Sequence, residues 1–238
     1  MVRSLIVVLV VIVIAGCSTL GLRRPIADSD QAMFKKVGVA SLLGPNFHGE
    51  HIGLTVFNNT DYDAPVAEWE VDNVLADRVV ELLRSTNRYE AGRLDLGGMS
   101  AKQLIADQKL LYSLAAQQGF DALIVAIPGV SENAHLVHTG YGLDDRSVII
   151  VKRQCIYAAY ILQVLEVASQ KSAGWDWGGG GPCEPGSGEQ VVPFKDKFDD
   201  YTENEKQILR DRVTAWIRKS VEISLDYLNL AKSKSMEK

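Results

Sequence analysis

All four histidines of this 238-residue chain fall in two His-x-x-His pairs, His48-Gly-Glu-His51 and His135-Leu-Val-His138. Imidazoles at that density, with Glu50 between the first two, are donor types that zinc and similar divalent ions take. In an extended chain residues three apart point to opposite sides, so the spacing chelates one ion only on a helix or a turn. A solvated loop histidine is the commoner fate of such residues. A metal-dependent enzyme or metal carrier using His48, Glu50, His51, His135 and His138 is the second of two functional readings that the sequence carries.

Trp175-Asp-Trp177 precedes Gly178 to Gly181. It reads either as an exposed aromatic tip on a loop, able to dock on a sugar, a peptide or a headgroup layer, or as two rings capping the end of a sheet. The glycines lack the Lys-Ser/Thr of a phosphate loop and do not open a helix after a strand, so nucleotide binding is not expected. No Gly-x-Ser-x-Gly elbow is present, and Ser131 lacks the strand-to-helix context that would activate it. Asp144-Asp145 and Asp199-Asp200 read as solvated turns; Asp61, Asp63 and Glu68 read as helix-start residues. No catalytic residue and no cofactor follow from these groups.

The elements that must position the candidates are legible from periodicity. Val37 to Leu43 is a short apolar run closed by Gly44-Pro45, which predicts a buried strand. Ile52 to Phe57 alternates and is expected to be a strand paired back on the first. From Val66 to Leu83 apolar residues recur at helical spacing, with Asp63 and Pro65 as start signals. Tyr89 to Leu96 reads as a strand, and Ser100 with Gln103 forms a capping box opening a helix that Gly119 stops. Asp121 to Ile127 is a second apolar run, expected to be buried on both faces. Val148 to Val167 favours β-structure, Gly174 to Gly188 reads as a loop, and Thr202 with Glu205 opens a last helix through Leu228. The order predicts a single-domain α/β fold: a mixed sheet with parallel central strands, a carboxyl-terminal antiparallel hairpin and packed helices. With the first and third strands as neighbours, both histidine loops would converge at a switch point of the sheet.

The amino terminus gives the strongest signal. Arg3 is followed by an apolar run from Leu5 to Ala15, a signal-peptide length well short of the roughly 20 residues a membrane-spanning helix needs. Ile14-Ala15-Gly16-Cys17 resembles the lipobox of bacterial lipoproteins. The resemblance implies acylation of Cys17, removal of residues 1–16, and, with Ser18 after the cysteine, sorting to the outer membrane facing the periplasm. Two or more acyl chains, at about 0.8 kcal/mol per buried methylene, hold a protein durably on a bilayer. Residues 17–35 are expected to be a flexible lipidated tether, 36–231 the periplasmic domain and 232–238 a disordered tail. Cleavage takes one arginine from a formal charge of -5 and leaves a mildly acidic chain without a basic stripe, so nucleic acid is not an expected partner. Cys155 and Cys183 remain as an even pair in an oxidising compartment. A bridge between them closes a loop of about 29 residues, worth roughly 3.6 kcal/mol in the chain-entropy account; a buried free thiol at Cys155 is the other reading.

Val37-Gly-Val-Ala-Ser-Leu-Leu43, Asn87-Arg88-Tyr89 after the early helix, and Gly119-Phe120-Asp121-Ala122 before an apolar strand resemble the periplasmic α/β domains of the curli-export lipoprotein CsgG and of the TolB amino terminus. The resemblance is architectural and covers residues 36–230 in element order. The lipid-facing hairpins of CsgG-type channels have no counterpart of adequate length here, so a pore is not implied. The first functional reading is thus a membrane-anchored, non-catalytic binding or assembly module of the envelope, with envelope proteins, peptidoglycan or identical subunits as partners.

Overall fold

The computed structural model describes residues 23–129, 139–148, 151–178 and 191–232. In chain order its main elements are α1 (Asp28–Met33), β1 (Lys36–Ser41), β2 (Asn46–Ile52), β3 (Thr60–Pro65), α2 (Val71–Ser85), β4 (Glu90–Arg93), α3 (Ala101–Ala106), α4 (Gln108–Gln117), β5 (Ala122–Pro128), β6 (Gly140–Val148), β7 (Val151–Glu166), β8 (Lys171–Trp177) and α5 (Glu203–Tyr227). They form one α/β domain with a mixed eight-stranded sheet ordered β3-β2-β6-β7-β5-β1-β4, with β8 also on β7.

The two apolar runs occupy the centre of the parallel half. β1 pairs in parallel with β5 on one side and β4 on the other. Side chains alternate along these strands, so Val37, Val39 and Ile124 pack with α2 and α5, whereas Ala40, Leu123 and Val125 pack with α3 and α4 on the opposite face. Burial on both faces is why both runs are apolar but for Ser41, whose hydroxyl donates to Asp72 at 2.5 Å. Each fully buried aliphatic side chain of this kind contributes about 1.5–3 kcal/mol.

Both capping boxes form. Ser100 accepts from the Gln103 amide while Gln103 answers the Ser100 amide, and Thr202 and Glu205 do the same for α5. The helix after Ser100 is nevertheless two helices, because Asp107 leaves helical backbone and its carboxylate accepts from the Lys109 amide at 3.0 Å. The early helix starts later than its periodicity predicts. Asp63 and Pro65 belong to β3, and the helical backbone of α2 begins only after Glu70, which is left-handed at φ 50°.

β7 joins the two halves of the sheet. Its residues 151–159 pair with β6, and its residues 161–166 lie between β5 and β8. β2 pairs in parallel with β6 and antiparallel with β3. The expected strand from Ile52 to Phe57 paired on the first strand is therefore not found. β2 precedes it, does not neighbour β1, and leads into a short 3-10 turn at Val56–Asn58 where Phe57 is 93% exposed. The β-favouring hairpin also begins earlier, at Gly140, and part of the expected loop from Gly174 is the strand β8.

The folded domain starts before residue 36. Arg24 and Trp175 exchange backbone hydrogen bonds of 3.0 and 2.9 Å, Ile26 and Phe34 are core residues, and α1 lies between them. A single bridge and six helical residues are too short to show a period, which is why residues 23–35 read as tether. Residues 17–22, with Cys17, lie outside the described residues, as do 1–16 and 233–238. Lys232, placed in the tail, is described and exposed.

Candidate functional site

The titratable side chains concentrate where β3, β2, β6 and the first half of β7 lie side by side. Their register sets Asp63 beside His48 and His48 beside Gly142, then Gly142 opposite Tyr157. One step along, Asp61, Glu50, Asp144 and Cys155 stand in a row. The period of two puts these residues on one face and Tyr62, His51, Asp145 and Gln154 on the other.

On the first face, His48 is buried and its Nδ1–H donates to Asp63 at 2.9 Å, tying β2 to β3. Asp144 is 5% exposed and accepts from Arg146 Nε through both oxygens at 3.0 Å. Burial raises the Asp144 carboxyl above the ordinary range, against the pull of the Arg146 cation; nearby Glu50 pushes the same way as burial. Tyr157 is 1% exposed, and among the described residues its hydroxyl has no hydrogen-bond partner. Burial raises its pKa well above the usual phenol value, and Glu50, Asp144 and Asp63 reinforce this. The ring fits because Gly142 opposite carries no side chain. A Cβ there would sit well inside contact distance of the His48 carbonyl oxygen and 2.8 Å from the Tyr157 hydroxyl.

On the second face, His51 Nδ1–H donates to Asp145 at 2.6 Å, tying β2 to β6. Gln154 donates to the other Asp145 oxygen at 3.0 Å and to the Val192 carbonyl at 2.8 Å, and accepts from the Val191 and Val192 amides. This chain of bonds holds the segment leading to α5 against the sheet. Phe194 rests on the His51 and Tyr62 rings at centroid distances of 5.4 and 5.9 Å, and Phe198 packs on Phe47 and Trp69. Tyr62 donates to the Tyr201 hydroxyl at 3.3 Å, and burial foremost, then this bond, holds its pKa above the usual phenol value.

His48 and His51 thus point to opposite faces, and of the candidate ligands within β2 it is Glu50 that shares a face with His48. Each imidazole is held by a carboxylate that braces neighbouring strands. Among the described residues no three His, Cys, Asp or Glu side chains converge so as to hold a metal ion. His135 and His138 lie outside the described residues. The first and third strands of the sequence reading, β1 and β5, are neighbours as expected, but His48 and His51 sit in β2 and not in a loop beyond β1.

Cys155 is disulfide-bonded and fully buried, which removes the free-thiol reading; Cys17 and Cys183 both lie outside the described residues. Trp175 and Trp177 are not on a loop. They are half-buried on one face of β8, with ring centroids 5.3 Å apart in an edge-to-face pair. Asp176 between them points the other way, is fully buried, and accepts from the Arg23 guanidinium. Burial raises its carboxyl above the ordinary range against Arg23 and Ser224.

Sequence reading missed Asp144, Asp145, Gln154 and Tyr157. Asp144-Asp145 is not a solvated turn: both residues belong to β6, with Tyr141 and Leu143 facing the core. The alternation Tyr141, Leu143, Asp145 against Gly142, Asp144, Arg146 was the available signal.

No family model matches the sequence, and no curated protein is similar to it. Among solved structures the chain is similar to the PelC dodecamer from Paraburkholderia phytofirmans, with a TM-score of 0.33 and 10% identity over 90% of this chain and 96% of that one. A point variant of the same dodecamer gives a TM-score of 0.31 and 9% identity over 84% and 92%. Likeness at this level assigns no role to the chain.

Proposed function

We propose that the chain is a lipoprotein of the bacterial cell envelope, acylated on Cys17, that presents its α/β domain in the periplasm as a non-catalytic binding or assembly module. The amino-terminal order carries the reading: a basic start, an apolar run too short to span, then Ile14-Ala15-Gly16-Cys17. The disulfide at Cys155 is what an oxidising compartment would supply. The β2–β6 layer fits such a module, since the described histidines, His48 and His51, brace neighbouring strands through Asp63 and Asp145. Ser18 directs the reading toward the outer membrane, with envelope proteins, peptidoglycan or identical subunits as partners.

Intact mass of the mature chain purified from membranes tests the anchor. Acyl chains on a chain beginning at Cys17 are expected, and Cys17→Ser should leave the membrane fraction. An unmodified sulfur, or a variant that still partitions with membranes, refutes the reading. The alternative, a metal-binding or metal-dependent envelope enzyme using both His-x-x-His pairs, gains less support because His48 and His51 diverge. Tightly bound zinc in protein purified without a His-tag, or a rise in thermal stability on adding zinc, would favour it.

A further inference from the structure

The strand β8 and the end of β5 carry apolar side chains on a sheet face that the helices leave partly open. Ile127, Ile161 and Trp177 stand side by side across three strands, and Gln163 and Trp175 form the next step on the same face. All five are half-buried. The helix α4 reaches this face at its first residue, where Gln108 donates to Gln163. Along β8 the alternation is strict: Gly174 and Asp176 are buried, Trp175 and Trp177 are turned outward.

This face lies where the chain leaves the domain. Arg24 is bridged to Trp175, the Arg23 guanidinium stacks 3.7 Å over the Tyr227 ring, and Tyr227 donates to the Arg23 carbonyl at 2.9 Å. Five residues separate Arg23 from Cys17, and a fully extended chain of that length reaches about 20 Å. Whatever holds Cys17 therefore holds β8 within about 20 Å, a reach that exceeds the roughly 5–8 Å of one headgroup layer and so allows the strand to touch it. Indole rings are the side chains most favoured at a membrane–water boundary, since one part is apolar and the N–H stays wet. Lys171 is exposed at the start of the same strand, and Arg24, also exposed, donates through its guanidinium to Ser172; both add positive charge beside the face.

We propose that Trp175 and Trp177 seat the domain on the headgroup layer of the bilayer that carries the acylated Cys17, so that the lipid anchor and an aromatic face hold one orientation together. The inference rests on the anchoring proposed above. Two contacts at one end of the domain fix its tilt, which a five-residue tether alone would leave free. The occupant argued for is lipid and not a second copy because the face lies beside the tether exit, within reach of the bilayer that would hold Cys17.

The test uses the mature lipidated chain in phosphatidylethanolamine–phosphatidylglycerol vesicles in which part of the lipid is brominated near the headgroup. Trp69 and Trp216, both buried in the core, serve as internal references. Quenching of up to about half of the total tryptophan emission is expected, abolished in a Trp175→Phe, Trp177→Phe double variant that keeps ring packing. Full emission from protein whose mass shows acyl chains overturns the seat and leaves the anchor standing. Absence of acyl chains overturns both. An emission shift that follows protein concentration in detergent, with no quenching in vesicles, assigns the face to a second copy and refutes the proposal. Should the double variant misfold, the single Trp177→Phe variant, expected to lose part of the quenching, gives the same decision.

Discussion

Gly142→Ala isolates the close approach that builds the β2–β6 layer. The new methyl would fall on the His48 carbonyl oxygen, a backbone atom, and 2.8 Å from the Tyr157 hydroxyl. Since backbone cannot rotate away as a side chain does, β2 and β6 must separate at the point where His48 and Gly142 are paired. Overpacking alone costs about 1–3 kcal/mol, and each ladder hydrogen bond lost adds about 0.5–1.5 kcal/mol. The expected destabilisation is about 3–5 kcal/mol, which for a domain of this size lowers Tm by roughly 6–20 °C. Gly44→Ala is the control. Gly44 has a φ of 84° but open space around it, so only left-handed backbone strain of about 1–2 kcal/mol is introduced. Thermal unfolding of the full chain followed by circular dichroism separates the two. A Gly142→Ala protein melting within about 2 °C of the parent, or no lower than Gly44→Ala, refutes the packing described for this layer.

Asp144 has a carboxyl raised above its ordinary value of 3.8, so the folded protein binds its proton more tightly than the unfolded chain. Its contribution to stability is fully present below about pH 4 and is lost as pH rises through the folded value. Asp144→Asn is therefore expected to flatten that part of the urea-midpoint profile and to gain most at neutral pH relative to acid; an unchanged profile refutes the assignment. Reduction of the Cys155 disulfide is expected to cost about 2–5 kcal/mol, seen as a lower melting temperature in reductant. If Cys183 is its partner, Cys183→Ser reproduces the reduced melt, and a variant that melts like the oxidised parent excludes that pairing.

The α/β class was legible because β1 and β5 are buried on both faces and therefore look apolar throughout, and because capping boxes mark helix starts with side-chain chemistry that is local. The layer holding the candidate site was not. Asn46–Ile52 and Gly140–Val148 owe their extended form to each other and to β3 and β7, pairings between residues up to about a hundred positions apart that no local period reports. Two glycines and three charged residues in β6 suppress its β-propensity, yet Gly142 is there to admit Tyr157 and the charges are paired or near their pairs. The histidines were the conspicuous residues, but the pairing of His48 with Asp63 and of His51 with Asp145 is a property of register, which shifts with a single residue of slip.

The strand β8 is joined to the sheet through β7, and residue 24 is stitched to β8. Any tug arriving along the chain from before Arg23 is thus passed through Arg23 to Tyr227 and Asp176, through Arg24 to Trp175, and from Trp175 across to Gln163 in the sixteen-residue strand that runs to the far half of the molecule. β7 acts as a spar. Traction on the amino terminus is shared between the end of α5 and the sheet, so neither takes it alone as a peeling force.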